Sequence, residues 1–103
     1  MTRGEVWLAT VGRKSRPVVV LTRSEVLDVR SLVTVAEITT TVRGLAVEVA
    51  IDGDGSGLAA PSAINCDGIH TVAQSSLTER VGVVDDASMR LVCASVTYAL
   101  GCL

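Results

Sequence analysis

Leu32-Val33-Thr34-Val35-Ala36-Glu37-Ile38-Thr39-Thr40-Thr41-Val42 is the stretch that decides the fold. Most of its side chains are β-branched, stiff at the first torsion and suited to a pleated surface. In an extended chain successive side chains point to opposite faces. One face then carries Leu32, Thr34, Ala36, Ile38, Thr40 and Val42, and the other carries Val33, Val35, Glu37, Thr39, Thr41 and Arg43. The second face turns from apolar to polar halfway along, so this strand leads from a core into a polar ladder.

Upstream, Val6 to Val11 and Pro17 to Leu21 are short apolar runs flanking Gly12-Arg13-Lys14-Ser15-Arg16, which reads as strand, basic loop, strand. Ser24 to Ser31 places Val26, Leu27 and Arg30 at near-helical spacing behind a candidate N-cap, Ser24, and predicts one or two turns of helix. Downstream, a hairpin at Arg43-Gly44 leads to a strand over Ala46 to Ile51. The glycine-rich loop Asp52 to Gly57 and strand pieces at Ala63 to Ile64 and Ile69 to Ala73 follow. Met89, Val92, Cys93, Val96 and Leu100 fall on one helical stripe, with Asp85 or Asp86 as N-cap and Gly101 as the stop. Five or more short strands followed by one packed helix predict a mainly β fold: a strongly curved antiparallel sheet or half-open barrel.

The chain has 103 residues and 10.7 kDa, enough for one domain over 1–103. By the surface scaling law it exposes about 5,500 Å² when folded and buries roughly 65% of its unfolded surface. Apolar residues make up 49% and mean hydropathy is +0.49, yet there is no Phe, one Trp and one Tyr. The core therefore consists of Val, Leu, Ile and Ala, and the surplus apolar content predicts burial against a second subunit. The uncharged stretch Leu91 to Leu103 is core-helix length, short of the roughly 18 to 20 residues of a membrane span. No apolar signal region follows Met1, so a cytoplasmic protein with no membrane partner is expected.

A net charge of -2 argues against a polycationic nucleic-acid coat. Residues 1–50 hold Arg3, Arg13, Lys14, Arg16, Arg23, Arg30 and Arg43 against five acids, net +2, while residues 51–103 are net -4. One end of the molecule is thus suited to an anion. Cys66, Cys93 and Cys102 form neither a C-x-x-C pair nor an even set, and Cys66 and His70 lack two further ligands for zinc. Asp52-x-Asp54-x-Ser56-Gly57 imitates half of a calcium loop, but Ala63 stands where the bidentate Glu belongs. No metal site, phosphate-binding loop or G-x-S-x-G nucleophile turn is expected. His70 is the sole imidazole, which excludes a paired-histidine mechanism within one chain. It is either a strand or surface histidine or a group that meets a base or phosphate. Arg16 is either a surface ion-pair partner or a fork for phosphate, and Glu37, Thr39, Thr41 and Arg43 are either ordinary strand residues or its polar ladder.

The chain resembles the MazF/PemK (Kid-type) toxins of bacterial toxin–antitoxin systems. The matching blocks are Arg3-Gly4-Glu5-Val6-Trp7, Ser15-Arg16-Pro17-Val18-Val19-Val20-Leu21, Val35 to Leu45, and Ser62 to Val72, with Leu77 to Asp85 fitting the last strand and the pre-helix turn. The resemblance implies an SH3-like barrel that dimerises, cuts single-stranded RNA and is silenced by a cognate MazE-type antitoxin. It places the family's catalytic arginine on Arg16 and its catalytic threonine on Thr39; Glu37, two residues earlier on the same face, is placed either to orient Arg16 or to act on the attacking hydroxyl, and Thr41 is a further supporting candidate. The reaction implied is attack of a 2′-hydroxyl on the adjacent phosphate, leaving 2′,3′-cyclic phosphate and 5′-hydroxyl ends without a cofactor. The first inter-strand loop, a longer flap in many relatives, is reduced here to Gly12 to Ser15. Backbone attraction is then expected from Arg13 and Lys14, and base reading from Arg23 to Arg30, Arg43 and Asp67 to His70. Two other readings belong to the same barrel: a CcdB-type gyrase-binding toxin, disfavoured by a tail without tryptophan, and an inactive antitoxin-binding paralogue.

Overall fold

The computed structural model describes residues 1–11, 13–52 and 55–102. Six strands form one antiparallel sheet: β1 (Glu5–Val11), β2 (Lys14–Val20), β3 (Leu32–Thr39), β4 (Glu48–Ile51), β5 (Ser62–Ala73) and β6 (Leu77–Val83), in the order β4-β5-β3-β2-β1-β6. A single helix, α1 (Asp86–Leu100), follows them. The mainly β fold with a C-terminal helix is therefore as expected. The two edges approach each other where Val83 N–H donates to the Gly55 carbonyl, 2.7 Å. Gly82 lies against the backbone of Ser56 there, where any Cβ would collide with it.

Two apolar clusters use the two faces of the sheet, because alternate side chains of each strand point opposite ways. Val6, Val19, Ala36, Ile38, Ile64 and Cys66 pack under α1 through Met89 and Val92. Ala9, Val18, Val20, Val33, Val35, Leu27 and Leu77 fill the other face, with Trp7 and Val72 at its rim.

Local chemistry moves several predicted boundaries. β3 stops at Thr39 rather than Val42, because the Thr39 hydroxyl accepts the Thr41 N–H at 3.0 Å and turns the backbone out of the ladder. The Arg43-Gly44 hairpin is accordingly replaced by an irregular loop. Glu48 Oε1 accepts the Arg43 and Leu45 N–H groups at 2.9 and 3.3 Å, which fixes the loop and delays β4 to Glu48. Burial pushes the Glu48 carboxyl up, but these backbone donors together outweigh it and hold the group below its usual range. The basic loop is also shorter: Val11 pairs with Lys14, so Lys14, Ser15 and Arg16 are strand residues. The two late strand pieces are one twelve-residue strand, β5, interrupted by a bulge.

Of the expected Ser24 to Ser31 helix, Ser24–Val26 alone is helical, as a 3-10 turn, since the Ser24 hydroxyl accepts the Arg3 N–H at 2.9 Å instead of capping a helix. In α1, Asp85 is the N-cap, accepting the Ser88 N–H at 2.7 Å, and Gly101 ends the helix in the left-handed region at φ 69°. Only the first half of the expected stripe is covered. Met89 and Val92 are buried and Val96 is half-buried against the same cluster, but Cys93 and Leu100 are exposed. Asp54 of the calcium-like loop lies outside the described residues. Among the described residues, no helix is long and apolar enough to cross a membrane.

Candidate functional site

Register sets the site. In β2 and β3, Val18 pairs with Glu37, Val19 with Ala36 and Val20 with Val35. Val18 and Val35 are buried on the face opposite α1, so Arg16, two residues before Val18, and Glu37, two after Val35, emerge on that same face as the cluster runs out. Carrying the register two residues further sets Arg16 across from Thr39. An open hollow of about 430 Å³ lies here, with Ala9, Val18, Val35 and Val72 as apolar floor and Arg16, Glu37, His70, Thr71 and Ser76 as polar rim. A second hollow of about 190 Å³ adjoins it, lined by Arg16, Glu37, Ile38, Thr39, Arg43 and Asn65. Arg16 and Glu37 stand on the wall between the two.

β5 closes this wall by bulging. Ala36 pairs with Ile69 but the next residue, Glu37, pairs with Asn65, so Cys66, Asp67 and Gly68 have no partner on β3. A Cβ on Gly68 would collide with Glu37 Oε2, so the glycine is what admits the carboxylate. His70 Nε2 stands 3.6 Å from the same Oε2, with the two side chains 53% and 39% exposed. Asn65 Oδ1 accepts the Asp67 N–H at 3.0 Å and holds the bulge.

The Arg16 side chain is exposed, and its guanidinium makes no ion pair or hydrogen bond with any described residue. An arginine left without a carboxylate partner beside an apolar hollow is a ready binding group for a phosphate, whose oxygens match its forked donors. Thr39 is half-buried, and its oxygen already accepts the Thr41 N–H, which leaves the hydroxyl hydrogen to donate outward.

Sequence reading thus brought together Arg16, Thr39, Glu37, Arg43 and His70, which share the paired hollows. Thr41 lies past the end of β3, exposed, and lines neither hollow, because its own N–H draws it into the turn on Thr39. Arg13 and Lys14 are exposed at the β1–β2 turn, and Arg23 is exposed beside the 3-10 turn; none lines either hollow. Gly68 falls within the expected base-reading segment Asp67 to His70, whereas Asn65 and the β5 bulge are new to the site. Their only sequence signal is the polar Asn65-Cys66-Asp67-Gly68 interruption between two apolar strand pieces. Among the described residues, no three His, Cys, Asp or Glu side chains are grouped to hold a metal ion.

Comparison with known proteins places this site in context. The family model described as "PemK-like, MazF-like toxin of type II toxin-antitoxin system" matches residues 2–100. The chain is 39% identical to a probable endoribonuclease MazF5 of Mycobacterium tuberculosis, over 97% of this chain and 93% of that protein. Among solved structures, the Mycobacterium tuberculosis toxin MazF-mt6 superposes with a TM-score of 0.88 at 36% identity, covering 94% of this chain and 96% of the other. An endoribonuclease from a mycobacterial species, in complex with its cognate antitoxin, gives 0.89 at 25% identity and covers 98% and 95%. A match over almost the full described length, on the same antiparallel sheet and C-terminal helix, makes this chain a member of the PemK-like, MazF-like toxin family.

Proposed function

We propose that this chain is a toxin that cuts single-stranded RNA, with Arg16 and Thr39 at the scissile phosphate. The observation that carries the reading is the unpartnered Arg16 guanidinium at the junction of the two hollows, with the Thr39 hydroxyl on the neighbouring strand. The relatives named as endoribonucleases support the same reaction class.

The chemistry follows from what such a cleavage needs. The RNA 2′-oxygen attacks phosphorus in line, the 5′-oxygen leaves, and negative charge builds on the non-bridging oxygens between these events. Arg16 neutralises that charge through two parallel N–H donors, and Thr39 donates to a non-bridging oxygen and keeps the phosphate in register. The products are a 2′,3′-cyclic phosphate and a 5′-hydroxyl, and no metal or organic cofactor takes part. Arg43, facing the smaller hollow, and His70, facing the larger, meet the nucleotides on either side. Arg13, Lys14 and Arg23 attract the backbone at longer range, an effect that weakens with salt.

The partners belong to the same proposal: a second copy of the chain, a MazE-type antitoxin and the RNA, in the cytoplasm. A dimer is supported by the outward face of α1, where Leu91 and Tyr98, two turns apart, are 59% and 65% exposed. An antitoxin segment with acidic and apolar side chains suits the cationic rim and apolar floor of the larger hollow. The test is to incubate the purified chain with mixed single-stranded RNA in EDTA beside Arg16→Ala and map the fragment ends. Discrete cuts with cyclic-phosphate and 5′-hydroxyl ends, lost at least about 10²-fold in the variant, are expected. Undiminished cutting by Arg16→Ala removes the assignment.

A further inference from the structure

The ribonuclease reading leaves one requirement unassigned: a group that takes the proton from the attacking 2′-hydroxyl. Arg16 is unsuited, because a guanidinium holds its proton to above about pH 12 and has no basic form to offer. Thr39 is a donor with no basic form near neutrality. Of the remaining groups on the rim, Glu37 and His70 are ionisable, and they are in contact with each other.

We propose that His70 is the proton acceptor of this site and that Glu37 is the residue that positions it. The inference rests on the ribonuclease reading above. Three observations carry it. His70 Nε2 and Glu37 Oε2 are 3.6 Å apart, so the carboxylate faces that ring nitrogen. Both side chains line the hollow that Arg16 also lines, so a phosphate on Arg16 lies beside them. Finally, the contact is built by the backbone: β5 loops out Cys66, Asp67 and Gly68 between its two pairings with β3, and the residue against the Glu37 carboxylate is a glycine, where any side chain would collide. A bulge that re-aims one side chain beside a hollow is a recurrent device of functional sites.

The step balances as follows. The Glu37 carboxylate, 3.6 Å from Nε2, favours the imidazole tautomer that carries its hydrogen on Nε2 and leaves the Nδ1 lone pair free. Nδ1 takes the proton of the 2′-hydroxyl as the O2′–P bond forms. The P–O5′ bond breaks, and the departing 5′-oxygen takes a proton from a water molecule at the open mouth of the hollow. The resulting hydroxide is neutralised by the proton now on His70, which returns the imidazole to its neutral form. Glu37 stabilises the transient imidazolium beside it, as a carboxylate does for an imidazole base. Imidazole is the side chain whose basic form is available nearest neutral pH, which suits it to this task over the carboxylate.

The test compares wild type, His70→Ala, His70→Gln, Glu37→Gln and Arg16→Ala on one RNA containing a mapped cut site, under single-turnover and steady-state conditions. His70→Ala and His70→Gln should lower kcat by about 10²-fold or more with KM changed less than about threefold. Added free imidazole should restore cutting by His70→Ala and leave Arg16→Ala unaffected. Glu37→Gln should lower kcat without raising KM, and added imidazole should not restore it. His70 is exposed, so its variants should keep the wild-type melting temperature. If wild type cuts but either His70 variant retains kcat within about threefold, or imidazole rescues nothing, the proton-acceptor role is overturned while the ribonuclease reading stands. If the folded wild type cuts no RNA of a broad pool, both fall.

Discussion

Thr39 shows how one side chain serves two levels of structure. Its oxygen accepts the Thr41 N–H at 3.0 Å, which ends β3, while its remaining hydroxyl hydrogen is what the phosphate reading uses. Both roles depend on the one hydroxyl, so substitution tests them together. Thr39→Ser keeps both and should retain cleavage within about threefold of wild type. Thr39→Val keeps the β-branched shape and loses the hydroxyl, and should lower kcat by about tenfold, the effect of about 1.4 kcal/mol from one lost hydrogen bond in the transition state. Parallel kcat measurements on a defined RNA, with melting temperatures as control, check this. Arg16, Thr39, Glu37 and His70 are visible in the sequence as residue types, but their local patterns leave ordinary strand and surface roles open, and the family resemblance is what singles out Arg16 and Thr39. The pairing of Glu37 with His70 is not visible there, since the two are far apart in the chain and meet only across the β3–β5 register.

Pairing between β1 and β6 rests on Glu5. Its carboxylate accepts from Arg80 Nε at 2.7 Å across the strands, from the Trp7 indole at 3.1 Å and from the Thr2 N–H at 2.8 Å. Burial pushes the Glu5 carboxyl up, but these donors together outweigh it and hold the group below its usual range. A carboxyl lowered in the folded state stabilises that state at pH values above the usual carboxylate range, and the gain is lost as pH falls through the lowered value. Glu5→Gln should therefore be less stable than wild type at pH 7 by about 1 kcal/mol, discounted because the Arg80 side chain is 51% exposed. Urea midpoints measured from pH 7 down to pH 3 should show the gap closing as wild-type Glu5 protonates. A gap that stays constant with pH would assign the effect to packing alone. The same strand pair illustrates what element-scale reading gives: the apolar runs of β1 and β2 were identifiable from β-branched periodicity, whereas Lys14 to Arg16 read as loop because charge masked their strand pairing.

At the scale of the whole molecule, the accessible surface is 6104 Å², about a tenth more than the scaling law expects for this mass. The excess agrees with an open sheet and with the bare apolar side chains of α1. Thiol chemistry reports on this arrangement directly. Cys66 is fully buried between sheet and helix, and burial pushes its thiol up to about 11, with the negative charge of Asp67 adding to the effect, while Cys93 and Cys102 are exposed. At pH 8 an aromatic disulfide reagent should titrate two thiols promptly and the third only on unfolding, and Cys66→Ala should abolish the slow phase alone. Prompt reaction of three thiols in the native protein would contradict the buried position of Cys66. The sequence by itself determined the strand-rich fold with its C-terminal helix and the residue types of the site, because alternation, helical spacing and capping are read from neighbours in the chain. Only the tertiary structure decided where β3 stops, that β5 is one bulged strand, that Leu100 stays outside the core, and that a glycine admits Glu37 to His70. The end of β3 hangs on the choice of the Thr39 hydroxyl as acceptor over the ladder, and the others depend on register and packing between segments distant in sequence.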